Sequence, residues 1–300
     1  MPASPDRSDS DRSGIALVVL AAATWSLAGV WIRLLPGVPV STMVMGRLAL
    51  SLLCLAPLAW WKRRELGRVT PAVWGLAAVM IGYYGFAVAG FRLTTVAQGT
   101  LFLNVSPLFA VAWALARGQR VRPGEKWGTG LALAGVAVIL LPGLVGGGSE
   151  GMERVLGNAL TLVAAAGMAA YSIAFGHLKS AGTQPNPLLV TLLTFGLGAA
   201  AMAALVGVRG SEVALAGLDG PAPWAALAGL GIVTTAIPTV AYSAASARLP
   251  PILTTTVRLL TPAFGAVAAW LILGEVPTVW LIPGGALVLG GLLLSVRAKA

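Results

Sequence analysis

Ten long apolar stretches divide this chain into two groups of five, and the second group repeats the first. Trp25-Ser26-Leu27-Ala28 in the first stretch returns as Tyr171-Ser172-Ile173-Ala174 in the sixth. Pro71 and Trp74 return as Pro221 and Trp224, and Gly118, Gly128 and Gly135 return as Gly274, Gly284 and Gly291. The offsets of 146, 150 and 156 residues drift only by what a few inserted loop residues add. Because five is odd, a second copy must cross a membrane in the opposite sense to the first. The expected fold is therefore an all-α integral membrane protein of ten transmembrane helices in two inverted five-helix repeats, an arrangement from which many secondary transporters are built.

The solvent of such a chain is mostly lipid: 57% of its 300 residues are apolar and 10% are charged, with a mean hydropathy of +0.87. The spans are read at 14–33, 40–61, 72–92, 95–116, 126–142, 155–177, 187–208, 222–247, 250–272 and 277–296, most near the roughly 20 residues that cross ~30 Å of hydrocarbon. Residues 1–13 form a polar tail of mixed charge, unlike the basic start of a secretory signal, and Trp25 lies inside an apolar run that continues to Ile32. An uncleaved first span is expected. The division is then a tail at 1–13, a first repeat at 14–142, a linker at 143–154 around Gly146-Gly147-Gly148, and a second repeat at 155–296. The other long polar break is 209–221.

A net charge of +10 could suggest nucleic acid, but the distribution says otherwise. With both termini in the cytoplasm, 14 lysines and arginines lie on the inner side and four, Arg33, Arg92, Arg154 and Arg209, on the outer. This is the positive-inside pattern of a bacterial-type inner membrane protein, and an odd number of spans would scramble it. The lipid bilayer and a small molecule are the expected partners, and nucleic acid is not. Cys54 is the sole cysteine, so no intramolecular disulfide or cysteine metal site is possible, and a packing role is expected.

The ends of the two halves share a pattern. Ala97 and Pro107 precede Gly118 and the glycines at 128 and 135; Pro262 precedes Leu273-Gly274-Glu275 and the glycines at 284 and 291. With Trp25-Ser26 in the first span and Arg47 in the second, residues 14–296 resemble the EamA-type members of the drug/metabolite transporter superfamily, and within it look most like YddG-type exporters of amino acids. The resemblance implies a transporter rather than an enzyme. The family's acidic residue after the glycine is kept as Glu275 in the second copy, whereas the first copy has Gln119-Arg120.

All ten acidic residues lie in tails, loops or span edges, and His177 sits near one end of its span. Proton-driven carriers relay through buried carboxylates or histidines. A carrier without a membrane-embedded proton-binding carboxylate is therefore expected, one that moves substrate down its own gradient.

Arg47 and Arg258 do lie within spans, at a cost of about 2.5–3.5 kcal/mol each at a helix centre. Thr254, Arg258, Thr261 and Gly265 fall on one helical face, a stripe too polar for lipid. Either Arg258 attracts a substrate carboxylate, or it donates to carbonyls freed by Pro262 or to nearby threonines. For Arg47 a packing contact is the favoured reading.

Trp25 and Tyr171 occupy equivalent repeat positions near mid-depth, where belt aromatics do not belong. Tyr83 and Tyr84 lie at similar depth, and Tyr242 shares a face of the eighth span with Thr235 and Pro238. These aromatics either line a path for amphipathic molecules or pack helices. Asn104, four residues after Thr100, either contacts substrate or stitches helices. The candidate substrate-binding residues are thus Trp25, Tyr83, Tyr84, Asn104, Tyr171, Tyr242 and Arg258. Pro107, Pro238 and Pro262 free carbonyls inside spans and are candidate hinges, or static shapers of the cavity. Gly82, Gly90, Gly196 and Gly198 read as close-packing positions.

The leading expectation is an exporter of small amphipathic metabolites, most plausibly amino acids including aromatic ones, working by alternating access. A phosphate- or nucleotide-sugar exchanger would need several cationic groups at mid-depth. A membrane-embedded transferase would need clustered Asp, Glu, His or Cys, and a channel would differ by its throughput. No catalytic residue, cofactor or metal is expected.

Overall fold

The computed structural model describes residues 7–146, 148–183, 185–210, 215–246, 248–249 and 251–298. Among these residues all regular structure is helical, in ten segments. They are α1 (Arg7–Ser26 and Ala28–Arg33), α2 (Val40–Trp61), α3 (Pro71–Leu93), α4 (Val96–Leu103 and Ser106–Ala116) and α5 (Pro123–Gly146) in the first repeat. The second repeat holds α6 (Gly148–Ser180), α7 (Pro187–Arg209), α8 (Pro221–Ala228, a π-helical Gly229–Ala236, and Ile237–Ser246), α9 (Pro251–Arg258 and Thr261–Leu273) and α10 (Leu281–Arg297). A helix satisfies its backbone polar groups internally, which hydrocarbon demands.

Local sequence sets the ends. Pro71, Pro187 and Pro221 open α3, α7 and α8, where a missing N–H leaves no partner wanting. The Asn186 side chain accepts a hydrogen bond from the Leu188 N–H at 2.8 Å. The repeated Gly118 and Gly274 follow α4 and α9, and both have φ +67°. That left-handed turn is what their glycine supplies.

The inversion is visible where α5 meets α10. A Cβ on Gly135 would strike the Gly284 carbonyl, and a Cβ on Gly128 would strike the Gly291 carbonyl. Earlier residues of one helix thus meet later residues of the other, so these repeat-equivalent helices run antiparallel. The glycines that mark the repeat in the sequence are the surface on which its two copies touch, small residues allowing close backbone approach.

Elsewhere the repeats interlock. Helix α6 of the second repeat packs with α3 and α4 of the first, and α1 of the first packs with α8 and α9 of the second, while α2 and α7 pack together. Two mixed three-helix bundles result. Arg248 donates to the Ser13 hydroxyl at 3.2 Å and the Asn186 amide donates to the Glu65 carbonyl at 2.8 Å, both on the face that carries the chain ends. On the opposite face, Arg92 donates to the Val38 carbonyl and to the Pro36 carbonyl at 2.5 Å.

Three expectations need amendment. The stretch 143–154 is not a loop in its described part: α5 runs to Gly146 and α6 starts at Gly148, with residue 147 outside the described residues. Its Gly-rich polar sequence lies beyond the apolar runs, where α6, at 33 residues and ~1.5 Å per residue, outruns the hydrocarbon. Cys54 is exposed rather than packed, beside Leu53 at 69% exposure, because this side of α2 faces outward. Gly90 and Gly198 are closely packed, but a Cβ on Gly82 would meet open space and one on Gly196 only the edge of Leu52. Residues 1–6 of the tail and 211–214 of the second polar break lie outside the described residues.

Candidate functional site

Eight helices converge on a cavity of about 260 Å³, and α5 and α10 stay out of it. The breaks in the helices fall around it. Asn104 and Val105 interrupt α4, Leu259 and Leu260 interrupt α9, and the π-helical segment widens α8. Pro107 and Pro262 stand in the first turn of the segment that follows each break, and Pro238 directly follows the π-helical turns. Pro107 and Pro262 thus start helical segments, so their lost hydrogen bonds fall at a terminus, whereas Pro238 lies inside a helix that runs on through Ile237, whose N–H donates to the Ile232 carbonyl.

The seven residues nominated from the sequence, Trp25, Tyr83, Tyr84, Asn104, Tyr171, Tyr242 and Arg258, all line this one cavity. Trp25 of α1 and Tyr242 of α8 meet with ring centroids 5.3 Å apart. Tyr83 and Tyr84 are 5.2 Å apart, edge on, and Tyr84 reaches Phe195 of α7 at 6.0 Å. Tyr171 stacks on Phe175 at 5.8 Å. Asn104 donates its amide to the Thr100 carbonyl at 2.8 Å. Its side-chain oxygen has no protein partner among the described residues.

Arg47 also lines the cavity, although its sequence favoured a packing role. Both descriptions apply. It is 5% exposed, its Nε donates to the Thr235 hydroxyl at 2.7 Å, and its Cζ stands 4.8 Å from the Tyr84 ring centroid. Thr235 is freed for this by the π-helical turns, where it donates in turn to the Leu230 carbonyl at 3.0 Å. Ser51 completes the contact, its hydroxyl 2.8 Å from the Gly231 carbonyl. The terminal amino groups of Arg47 have no protein acceptor among the described residues.

Arg258 ends the first segment of α9. Its carbonyl accepts from the Thr261 hydroxyl at 2.6 Å, but its guanidinium has no hydrogen-bond or ion-pair partner among the described residues. The alternative role as donor to freed carbonyls or threonines is not the arrangement seen. The stripe it belongs to faces inward: Gly265 sits against Thr100 of α4, where a Cβ would come within 3.0 Å of its hydroxyl.

Met80, Thr191, Thr194, Phe195 and Thr239 complete much of the wall and were not singled out by the sequence. Each threonine donates to the carbonyl four residues back, Thr194 to Val190 at 2.8 Å for example, as membrane threonines do wherever they face. Thr191 and Phe195 at i, i+4 on one face of α7 were the available signal. No carboxylate or histidine is among the lining residues. Glu275 lies apart, paired with Arg33 at 3.4 Å and accepting from the Val96 N–H at 2.9 Å.

Comparisons with known proteins agree with this architecture. The model of the EamA-like transporter family matches twice, at residues 12–141 and 155–297. A protein of Archaeoglobus fulgidus named "uncharacterized transporter" is 26% identical over 286 residues, covering 95% of this chain and 97% of its own. One of Streptantibioticus cattleyicolor, named "probable terminal-alkyne amino-acid exporter", is 30% identical over 292 residues, covering 93% and 92%. A solved crystal structure with 20% identity shares the fold, with a TM-score of 0.61 over 97% of this chain and 98% of that one. The chain is thus a multi-pass membrane protein that belongs to the EamA-like transporter family.

Proposed function

We propose that this chain is a secondary carrier that exports small amphipathic metabolites, amino acids including aromatic ones, across a bacterial-type inner membrane. The observation that carries the reading is the Arg258 guanidinium, without a hydrogen-bond or ion-pair partner among the described residues, in a cavity walled by Trp25, Tyr83, Tyr171 and Tyr242. A cation without an acceptor in a low-dielectric site attracts a carboxylate, and the rings suit an apolar side chain. The name of the Streptantibioticus relative points the same way. A phosphate-type exchanger fits less well, because it calls for several cationic groups and two arginines are among the lining residues.

Both termini lie in the cytoplasm, since the face with the chain ends holds most of the lysines and arginines. Access alternates by rocking the α3, α4, α6 bundle against the α1, α8, α9 bundle, with the helix breaks before Pro107 and Pro262 and the π-helical turns before Pro238 as hinges. The cavity wall extends towards the termini face through Val190 and Thr191 at the start of α7. On the opposite face, Glu275 ties the ends of α1 and α9 to the start of α4. This supports a state closed outward.

The test is an uptake and efflux screen in proteoliposomes of the full chain, amino acids against sugar phosphates. Saturable movement of aromatic amino acids is expected. Movement of sugar phosphates alone would overturn the assignment.

A further inference from the structure

We propose that the cavity selects a net anion, a carboxylate on an apolar or aromatic body whose amino group is absent or acylated, over the zwitterionic amino acid. This rests on the reading that the cavity binds the transported carboxylate, and it ranks that class: aromatic amino acids remain substrates, held more weakly than the net anions. The lining residues include two guanidinium groups and neither a carboxylate nor a histidine. A zwitterion leaves that double positive charge unbalanced, whereas a monoanion halves it.

Both cations border one cavity: Arg47 is held by Thr235 and the Tyr84 face, and Arg258 lines the wall from the end of the first segment of α9. Positive charge in a membrane cavity without a counter-charge is costly, so a carboxylate bound there offsets it. An ammonium in the same space meets only repulsion and neutral acceptors. Those acceptors include the Asn104 side-chain oxygen, the tyrosine hydroxyls and threonine oxygens whose protons are already committed, as in Thr191 to the Pro187 carbonyl at 2.9 Å. The Trp25 and Tyr242 faces offer a cation some attraction, but across a site already doubly positive.

Binding to the purified full-length chain in detergent, followed by titration calorimetry, separates the possibilities without passive leak of weak acids. The probes are L-phenylalanine, N-acetyl-L-phenylalanine, 3-phenylpropionate, L-phenylalanine amide and phenyl phosphate. N-acetyl-L-phenylalanine and 3-phenylpropionate are expected to bind about tenfold or more tighter than L-phenylalanine, with the amide undetected. Arg258→Ala should abolish the preference and Arg258→Lys retain part of it, each variant first shown to be monodisperse. L-phenylalanine binding as tightly as the two acids overturns this inference and leaves the cavity reading standing. Phenyl phosphate binding about tenfold tighter than both carboxylates overturns the carboxylate assignment. Binding of no probe, or acid binding unchanged in Arg258→Ala, overturns the cavity reading and the inference together.

Discussion

Arg33, at the end of α1, and Glu275, just after α9, join the two repeats in an ion pair of 3.4 Å on the face opposite the termini. Their repeat counterparts cannot do the same. The offset of 146 carries Arg33 to Lys179, but the offset of 156 carries Glu275 back to Gln119, which has no charge. The duplication therefore does not carry this particular ion pair over to the termini face.

Replacing Glu275 with Gln should loosen the face opposite the termini. The pair is partly exposed, with side-chain accessibilities of 36% and 19%, so its loss is worth about 0.2–1 kcal/mol, up to roughly a fivefold change in population. In a Cys54→Ser, Thr100→Cys background, an impermeant thiol reagent applied to that face should react faster in the Glu275→Gln variant. Equal rates would remove the tie from the mechanism.

The mirror experiment adds the missing charge. By the repeat relation, Gln119→Glu should supply Lys179 with an acidic partner when the termini face closes, slowing labelling of the same cysteine from that side by a factor of about two to five. Faster labelling would mean that the two faces are not equivalent by the repeat.

Where α5 and α10 touch, Gly135→Ala places a Cβ 2.5 Å from the Gly284 carbonyl and should destabilise by about 1–3 kcal/mol. Gly130→Ala on the same helix meets nothing within 4 Å and should be tolerated. Thermal unfolding in detergent compares them. Similar loss in both would show that the antiparallel contact is not what holds the repeats together.

Transport should proceed without a proton gradient, because no carboxylate or histidine among the described residues lines the cavity. Liposomes loaded with substrate at equal internal and external pH should exchange it. Exchange that begins only under an imposed pH difference would require a proton site elsewhere.

Much of this was legible in the sequence for one reason: polar and aromatic residues inside apolar spans are expensive, so they mark the interior. Trp25, Tyr171 and Arg258 stood out on that ground and share one cavity. The repeated glycines at 118 and 274 were visible as a pattern, and their common φ of +67° supplies its physical cause. The interlocking of α1 with α8 and of α6 with α3 was not legible, since small residues permit close contact without naming a partner. Nor was the π-helical segment, whose Thr235 hydroxyl and Gly231 carbonyl meet Arg47 and Ser51 across the α2 contact. Arg47 looked structural because it is structural, and only the cavity wall shows its second face.

Transport by Arg258→Ala and Trp25→Ala in proteoliposomes tests the placement of the site most directly. With protein yield and oligomeric profile matched to the unmodified chain, uptake should fall about tenfold or more for Arg258→Ala, which loses the carboxylate anchor. It should fall by a smaller factor for Trp25→Ala, which opens the aromatic wall. Unchanged transport in both would contradict a substrate path through this cavity.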